Sequence, residues 1–142
     1  MASIRPQTLS EIAFRAKDKT RAFDVSVREF LDAWQTMPPL QRVGALAEEP
    51  PRLDAIKDAY LAALAEHLAL LDGDGAPAWT DQTNRFLNAP FFSGGLESLK
   101  ATLLVESPLA FRRRLIFISA DALSRPDRTF TQDDALNAAL DV

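Results

Sequence analysis

The chain has 142 residues, no cysteine, one histidine and a formal net charge of −4. Hydrophobic residues make up 47% and charged residues 25%, the composition of one folded domain and not of a disordered chain. The absence of cysteine excludes disulfides and thiolate chemistry, the lone histidine leaves ordinary transition-metal sites without ligands, and the acidic balance lacks the footprint of a general nucleic-acid binder.

No window approaches ~18 uninterrupted apolar residues, so no membrane span is expected. The first residues lack the apolar core of a secretory signal, and a cytoplasmic location is the default expectation. Thr8-Leu9-Ser10-Glu11 has the spacing of a capping box and opens a weakly apolar helix over about Leu9–Lys17. The charged stretch that follows marks residues 1–24 as a peripheral or mobile segment. Ser26-Val27-Arg28-Glu29 is a second box; its helix sets Val27, Phe30, Leu31, Trp34 and Met37 on one face until Pro38-Pro39 ends it. Pro39 suits the first turn of a short helix reaching Glu49 with Leu40, Val43 and Leu46 inward.

The clearest pattern spans Arg52–Leu71, where Leu53, Ile56, Tyr60, Leu61, Leu64, Leu68 and Leu71 form an apolar stripe. Asp72-Gly73-Asp74-Gly75 stops it, with glycine available for a left-handed cap. This turn fails as a calcium loop, because Ala76, Pro77 and Thr83 stand where a ligand, a glycine and a glutamate are needed. Trp79, Thr80 and Asp81 begin a short helix carrying Phe86 and Leu87, which Asn88-Ala89-Pro90 breaks. Phe91-Phe92-Ser93-Gly94-Gly95 reads as a loop whose aromatics must be buried or bound. Leu96–Glu106 reads as a helix with Leu96, Leu99, Leu103 and Leu104 inward, and Ser107-Pro108 as the cap and first turn of another. The run Leu115–Ser119 is compatible with a short strand or the buried end of that helix. Residues 127–142 form an acidic tail, with Thr131 as a cap and Leu136, Ala139 and Leu140 on one face, expected to lie at the periphery. The fold class is therefore mainly α: a single multi-helix domain over residues 1–142 with at most one short strand or hairpin near 115–119.

Catalytic signals are weak. His67 lies at the edge of the apolar stripe, and Glu66 beside it points about 100° away on a helix, so the two form no ready dyad. Ser93-Gly94-Gly95 lacks a P-loop lysine, and no serine has a nucleophile-elbow setting. No catalytic, cofactor-binding or metal-binding residue is expected.

The most informative run is Glu106–Arg114, ESPLAFRRR, where Phe111 and three arginines adjoin an apolar stretch. Residues 112–128 carry five basic and two acidic side chains, against five and nine over 37–100. A local cationic patch on an acidic chain favours a specific anionic protein surface over a polyanion. The candidate partner-binding residues are Phe91, Phe92 and Phe111 as apolar anchors and Arg112, Arg113 and Arg114 as carboxylate-seeking cations. One of the arginines is expected to turn inward, to pair with Glu106 or an aspartate at a helix-to-strand corner. Alternatives are a ligand pocket or enzyme site near His67, Tyr60 and Trp79, and nucleic-acid binding through Arg112–Arg128. A homodimer is compatible with the apolar Phe91-Phe92 segment.

Residues 77–126, through Pro77, Trp79, Arg85, Phe86, Leu87, Pro90, Leu99, Glu106, Ser107, Pro108, Ala110, Phe111 and the three arginines, resemble small bacterial proteins encoded beside nucleotidyltransferase-type toxins. The resemblance implies an antitoxin-like regulatory protein whose partner is the toxin, with Arg112–Arg114 set against acidic groups such as its metal-binding carboxylates. Some related proteins carry an N-terminal helix-turn-helix. Residues 1–70 here depart from that pattern, having no short glycine turn between two well-patterned helices, which argues against operator binding.

Overall fold

The computed structural model describes residues 5–93 and 100–124. Its elements are helices α1 (Leu9–Lys17), α2 (Phe23–Trp34), α3 (Pro39–Ala47), α4 (Ala55–Leu71), α5 (Lys100–Glu106) and α6 (Leu109–Arg112), with two-residue strands β1 (Phe91–Phe92) and β2 (Ile116–Phe117). The protein is mainly helical and forms one domain. Among the described residues no helix is long and apolar enough to cross a membrane.

The start of α1 follows its sequence signal with one shift. Thr8 Oγ1 accepts from the Glu11 amide at 3.1 Å, but the Glu11 carboxylate accepts from the Gln7 amide at 2.8 Å, one residue outside the expected box. The helix ends in a Schellman turn: the amides of Thr20 and Lys19 reach the carbonyls of Arg15 and Ala16, and Lys19 takes a φ of 59°. Contrary to the peripheral placement expected of residues 1–24, Leu9, Ile12 and Ala13 are fully buried and α1 packs on α2. A short apolar stripe suffices because only one face of this helix meets the core.

The helix α2 begins at Phe23, a turn before Ser26. Glu29 cannot serve a box there because Arg21 holds both of its oxygens, at 2.9 and 2.8 Å. Ser26 instead sits inside the helix, buried, with its hydroxyl unpartnered. Phe23 extends the apolar face backwards and meets the edge of Tyr60 at 5.8 Å. In α3 Leu46 is buried as expected, but the rest of the expected inward face is turned away by about a quarter turn. Leu40 and Val43 face outward while Ala45 and Leu46 are buried, because Arg42 stacks 4.7 Å over Trp34 and donates to the Trp34 carbonyl and to Asp72.

Helix α4 is the centre of the protein. Asp54 caps it by accepting from the Lys57 amide at 2.9 Å. Its alanines 59, 62, 63, 65 and 69 are buried together with Leu61, Leu64 and Leu68. Such a helix is apolar on all sides over most of its length and is enclosed by neighbours on several faces; Ile56 and Leu71, expected inward, lie at its open ends. Gly73, at φ 78°, closes it in a second Schellman turn. Two tight 3-10 turns, Ala78–Asp81 and Thr83–Arg85, then run back along α4.

The Phe91–Phe92 segment, expected as a loop, is a strand. It pairs in parallel with β2, Phe91 opposite Ile116 and Phe92 opposite Phe117, and the two paired phenyl rings Phe92 and Phe117 stack at 4.9 Å. Parallel neighbours need a long crossover, and α5 and α6 lie within it. Ser107, expected as a cap, instead ties this crossover to the strand: its hydroxyl accepts from the Ile118 amide at 2.8 Å and lies within donating distance of the Leu103 and Ile118 carbonyls. Leu96, Leu99 and the 127–142 tail fall outside the described residues.

Candidate functional site

The arginine run sits where α6 turns into β2. Helix α6 is one turn long, and Leu115, at φ 64°, swings the chain into the strand. That left-handed residue is costly for a leucine. It is held by hydrogen bonds on both sides, from its own amide to Arg112 O and from the Phe91 amide to its carbonyl, at 2.9 and 2.8 Å. The turn sends the three arginines to three environments.

Arg114 points inward and is 0% exposed. Its guanidinium donates to Glu66 Oε1 at 2.6 Å, to the Ala110 carbonyl at 2.9 Å and to the Thr80 carbonyl at 2.8 Å, and lies 4.5 Å over the Phe86 ring. This is the inward arginine expected from the sequence, but its partner is Glu66 on α4, not Glu106 or an aspartate. Arg113 is half-exposed and braces the same carboxylate from outside, 3.1 and 2.9 Å from its two oxygens. Arg112 is exposed and has no side-chain partner among the described residues.

Burial alone would raise the Glu66 carboxyl, but the hydrogen bonds and charges of Arg114 and Arg113 outweigh it and hold the group below its ordinary value. On Arg114 the largest influence is also burial, which lowers its pKa.

A second buried guanidinium repeats the device. Arg85, also fully buried, donates to the carbonyls of Asp58 and Pro50, at 3.3 and 2.9 Å, and to Glu49 at 3.1 Å, while lying 4.9 Å over Trp79. Asp58 is buried beside it and accepts from the Leu53 amide and from Arg52, both at 2.7 Å. Arg85 and Arg114 therefore pin the 78–86 segment to α4 from its two ends. Each leaves only its Nε without a partner. Sequence reasoning missed this role for Arg85, Asp58 and Glu66. The available signal was two acids, eight residues apart, inside a helix dominated by alanine and leucine; a carboxylate so placed is buried and requires a cationic partner.

Phe111, expected as an exposed anchor, is fully enclosed, with its ring 5.1 Å from Tyr60 and 6.2 Å from His67 in edge-on contacts. It holds α6 to α4 and is not available to a partner. The same holds for Arg114. Phe91 and Phe92 are half-buried in the strand pair, and Lys100 lies over Phe92 at 5.0 Å. Leu103 is buried as expected, but Leu104, also expected inward, is exposed. With it on the outward surface of this corner stand Val105 and Leu109, which the sequence reading did not single out, exposed to 79% and 63%. Leu109 and Arg112 stand three apart on α6 and share a face.

Among the described residues, none of the grooves brings His67, Tyr60 and Trp79 together. Tyr60 lines a groove that includes neither His67 nor Trp79. His67 lies against Phe111, and burial lowers its pKa. Trp79 donates from Nε1 to the Leu46 carbonyl at 3.0 Å and is buried. Among the described residues no group of three or more His, Asp or Glu side chains could hold a metal ion. Comparison with protein-family models, curated proteins and solved structures yields no match.

Proposed function

We propose that this protein is a non-enzymatic, cytoplasmic interaction protein that binds another protein through the α5–α6 corner. The observation that carries the reading is the pairing of exposed apolar side chains, Val105 and Leu109, with an arginine, Arg112, that has no side-chain partner among the described residues. Its neighbours Arg113 and Arg114 are spent on Glu66, so Arg112 is the member of the run left for intermolecular work. An apolar knob beside an unpaired guanidinium suits a partner surface that offers carboxylates around an apolar depression. The antitoxin-like role implied by the resemblance is the specific form of this reading, with an acidic toxin surface as the partner.

A double variant, Leu109→Asp with Arg112→Glu, tests it. Both side chains are exposed, so the fold is expected to survive within about 0.5 kcal/mol. Binding to the native partner is expected to fall by a factor of a hundred or more, about 3 kcal/mol. Unchanged affinity in the folded double variant refutes the reading.

A further inference from the structure

A separate feature lies between the first turns of α2 and α4. A groove of about 460 Å³ runs between them and is bounded on its far side by β1. Its walls are apolar: Phe23 and Val27 from α2, Ile56 and Tyr60 from α4, and Phe91. The volume falls in the range of small-molecule sites. Tyr60 is the protein's only tyrosine, and among the described residues its hydroxyl has no hydrogen-bond partner.

The groove opens into a second, shallower hollow of about 610 Å³, with Phe23, Asp24 and Lys57 common to both. The mouth so formed is cationic. Arg28 borders the groove and has no ion-pair partner among the described residues. Lys57 stands between the two hollows, and Lys19 and Arg21 line the outer one. Lys57 shares its charge with Asp54 at 3.1 Å and Arg21 with Glu29 at 2.8 Å. Asp24 is the one carboxylate in the lining of either hollow, and as a first-turn acid it answers the α2 dipole. Among the described residues, therefore, Arg28 and Lys19 stand without an ion pair at the entrance of an apolar slot.

From this arrangement we infer that the groove binds an amphipathic organic anion, a carboxylate with an aliphatic or aromatic tail. The tail lies between Val27, Ile56 and Phe91, the Tyr60 hydroxyl donates to the head group or a bridging water, and Arg28 supplies the counter-charge. This site shares no residue with the α5–α6 corner, so either can fail without the other.

The probe is decanoate, with decylamine and decanol as matched controls of opposite and no charge, at concentrations below micelle formation. The readout is the NMR signal of the ring-labelled Tyr60, which is unambiguous because the chain has a single tyrosine. Decanoate is expected to shift that signal saturably, with decanol weaker by about tenfold and decylamine without saturation. Arg28→Glu, at an exposed position, is expected to weaken decanoate about tenfold or more, and Ile56→Glu to abolish it, with thermal unfolding of both variants measured alongside. An unmoved Tyr60 signal, equal response to decylamine, or full affinity in folded Arg28→Glu overturns the assignment.

Discussion

The buried Arg114–Glu66 pair makes the most specific energetic demand on the protein. Arg114→Met keeps much of the side-chain bulk but deletes donors to Glu66, Thr80 and Ala110. Breaking one side of a buried pair costs about 3–5 kcal/mol. Because Arg113 still holds the Glu66 carboxylate, the loss is expected at the low end, about 3 kcal/mol. Glu66→Leu leaves a fully buried guanidinium without its carboxylate, and about 4 kcal/mol is expected. The double variant replaces the pair with apolar bulk, a change that is often neutral apart from the orphaned carbonyls. It is therefore expected to be more stable than either single variant, with a coupling above about 4 kcal/mol, beyond the ordinary range for contacting pairs. Urea unfolding at neutral pH measures this: at a slope near 2 kcal/mol per molar, Arg114→Met lowers the midpoint by about 1.5 M. Additive losses in the double variant, or a cost for Arg114→Met below about 1 kcal/mol, refute the claim that this pair organises the core.

Three further outcomes follow from the geometry. The Glu66 carboxyl lies below its ordinary value of 4.5 in the folded state, where burial is outweighed by the Arg114 and Arg113 hydrogen bonds; the stability it contributes is complete above pH 4.5 and is lost as pH falls through the folded value, so Glu66→Gln is expected to flatten the acid limb of a stability-against-pH curve. Burial raises Tyr60 to about 12, so the folded protein favours the neutral phenol; that stability is present below pH 10 and lost between pH 10 and 12, and tyrosinate absorbance of the folded protein should titrate with a midpoint near 12. Lys19 occupies the left-handed position of the α1 cap with an exposed side chain, and Lys19→Gly is expected to raise stability by about 1 kcal/mol in thermal unfolding.

Local signals in the sequence located most helices. The range Leu9–Lys17 is reproduced residue for residue, Pro39 opens α3, and Gly73 closes α4 in the left-handed conformation. These features depend on nearest-neighbour chemistry, which a linear pattern carries. Facing was less legible: in α3, Arg42 covers Trp34 and turns Leu40 and Val43 outward, a choice made by a residue on another helix. The strand at Phe91-Phe92 was hidden for a similar reason, since its partner lies more than twenty residues away and two residues carry no period.

At the candidate site, the sequence reading assigned the members of the arginine run by proximity. Phe111 looked like an anchor because it adjoins charge, yet the rings of Tyr60 and His67 claim it. Arg114 looked like a free cation, yet Glu66, 48 residues earlier, neutralises it. Leu104 was expected inward and is exposed, because only Leu103 of α5 is buried, while the one-turn α6 buries Ala110 and Phe111 and leaves Leu109 outside. An arginine triplet is thus divided between structure and surface by the single left-handed residue that follows it.

The most direct test of the central claim is the affinity of the partner that co-purifies with the native protein, measured for three folded forms: the wild type, Leu109→Asp with Arg112→Glu, and Arg28→Glu. The α5–α6 variant is expected to lose binding by a factor of a hundred or more while Arg28→Glu binds as the wild type does. Equal affinity for all three forms would contradict the assignment of the partner surface to this corner.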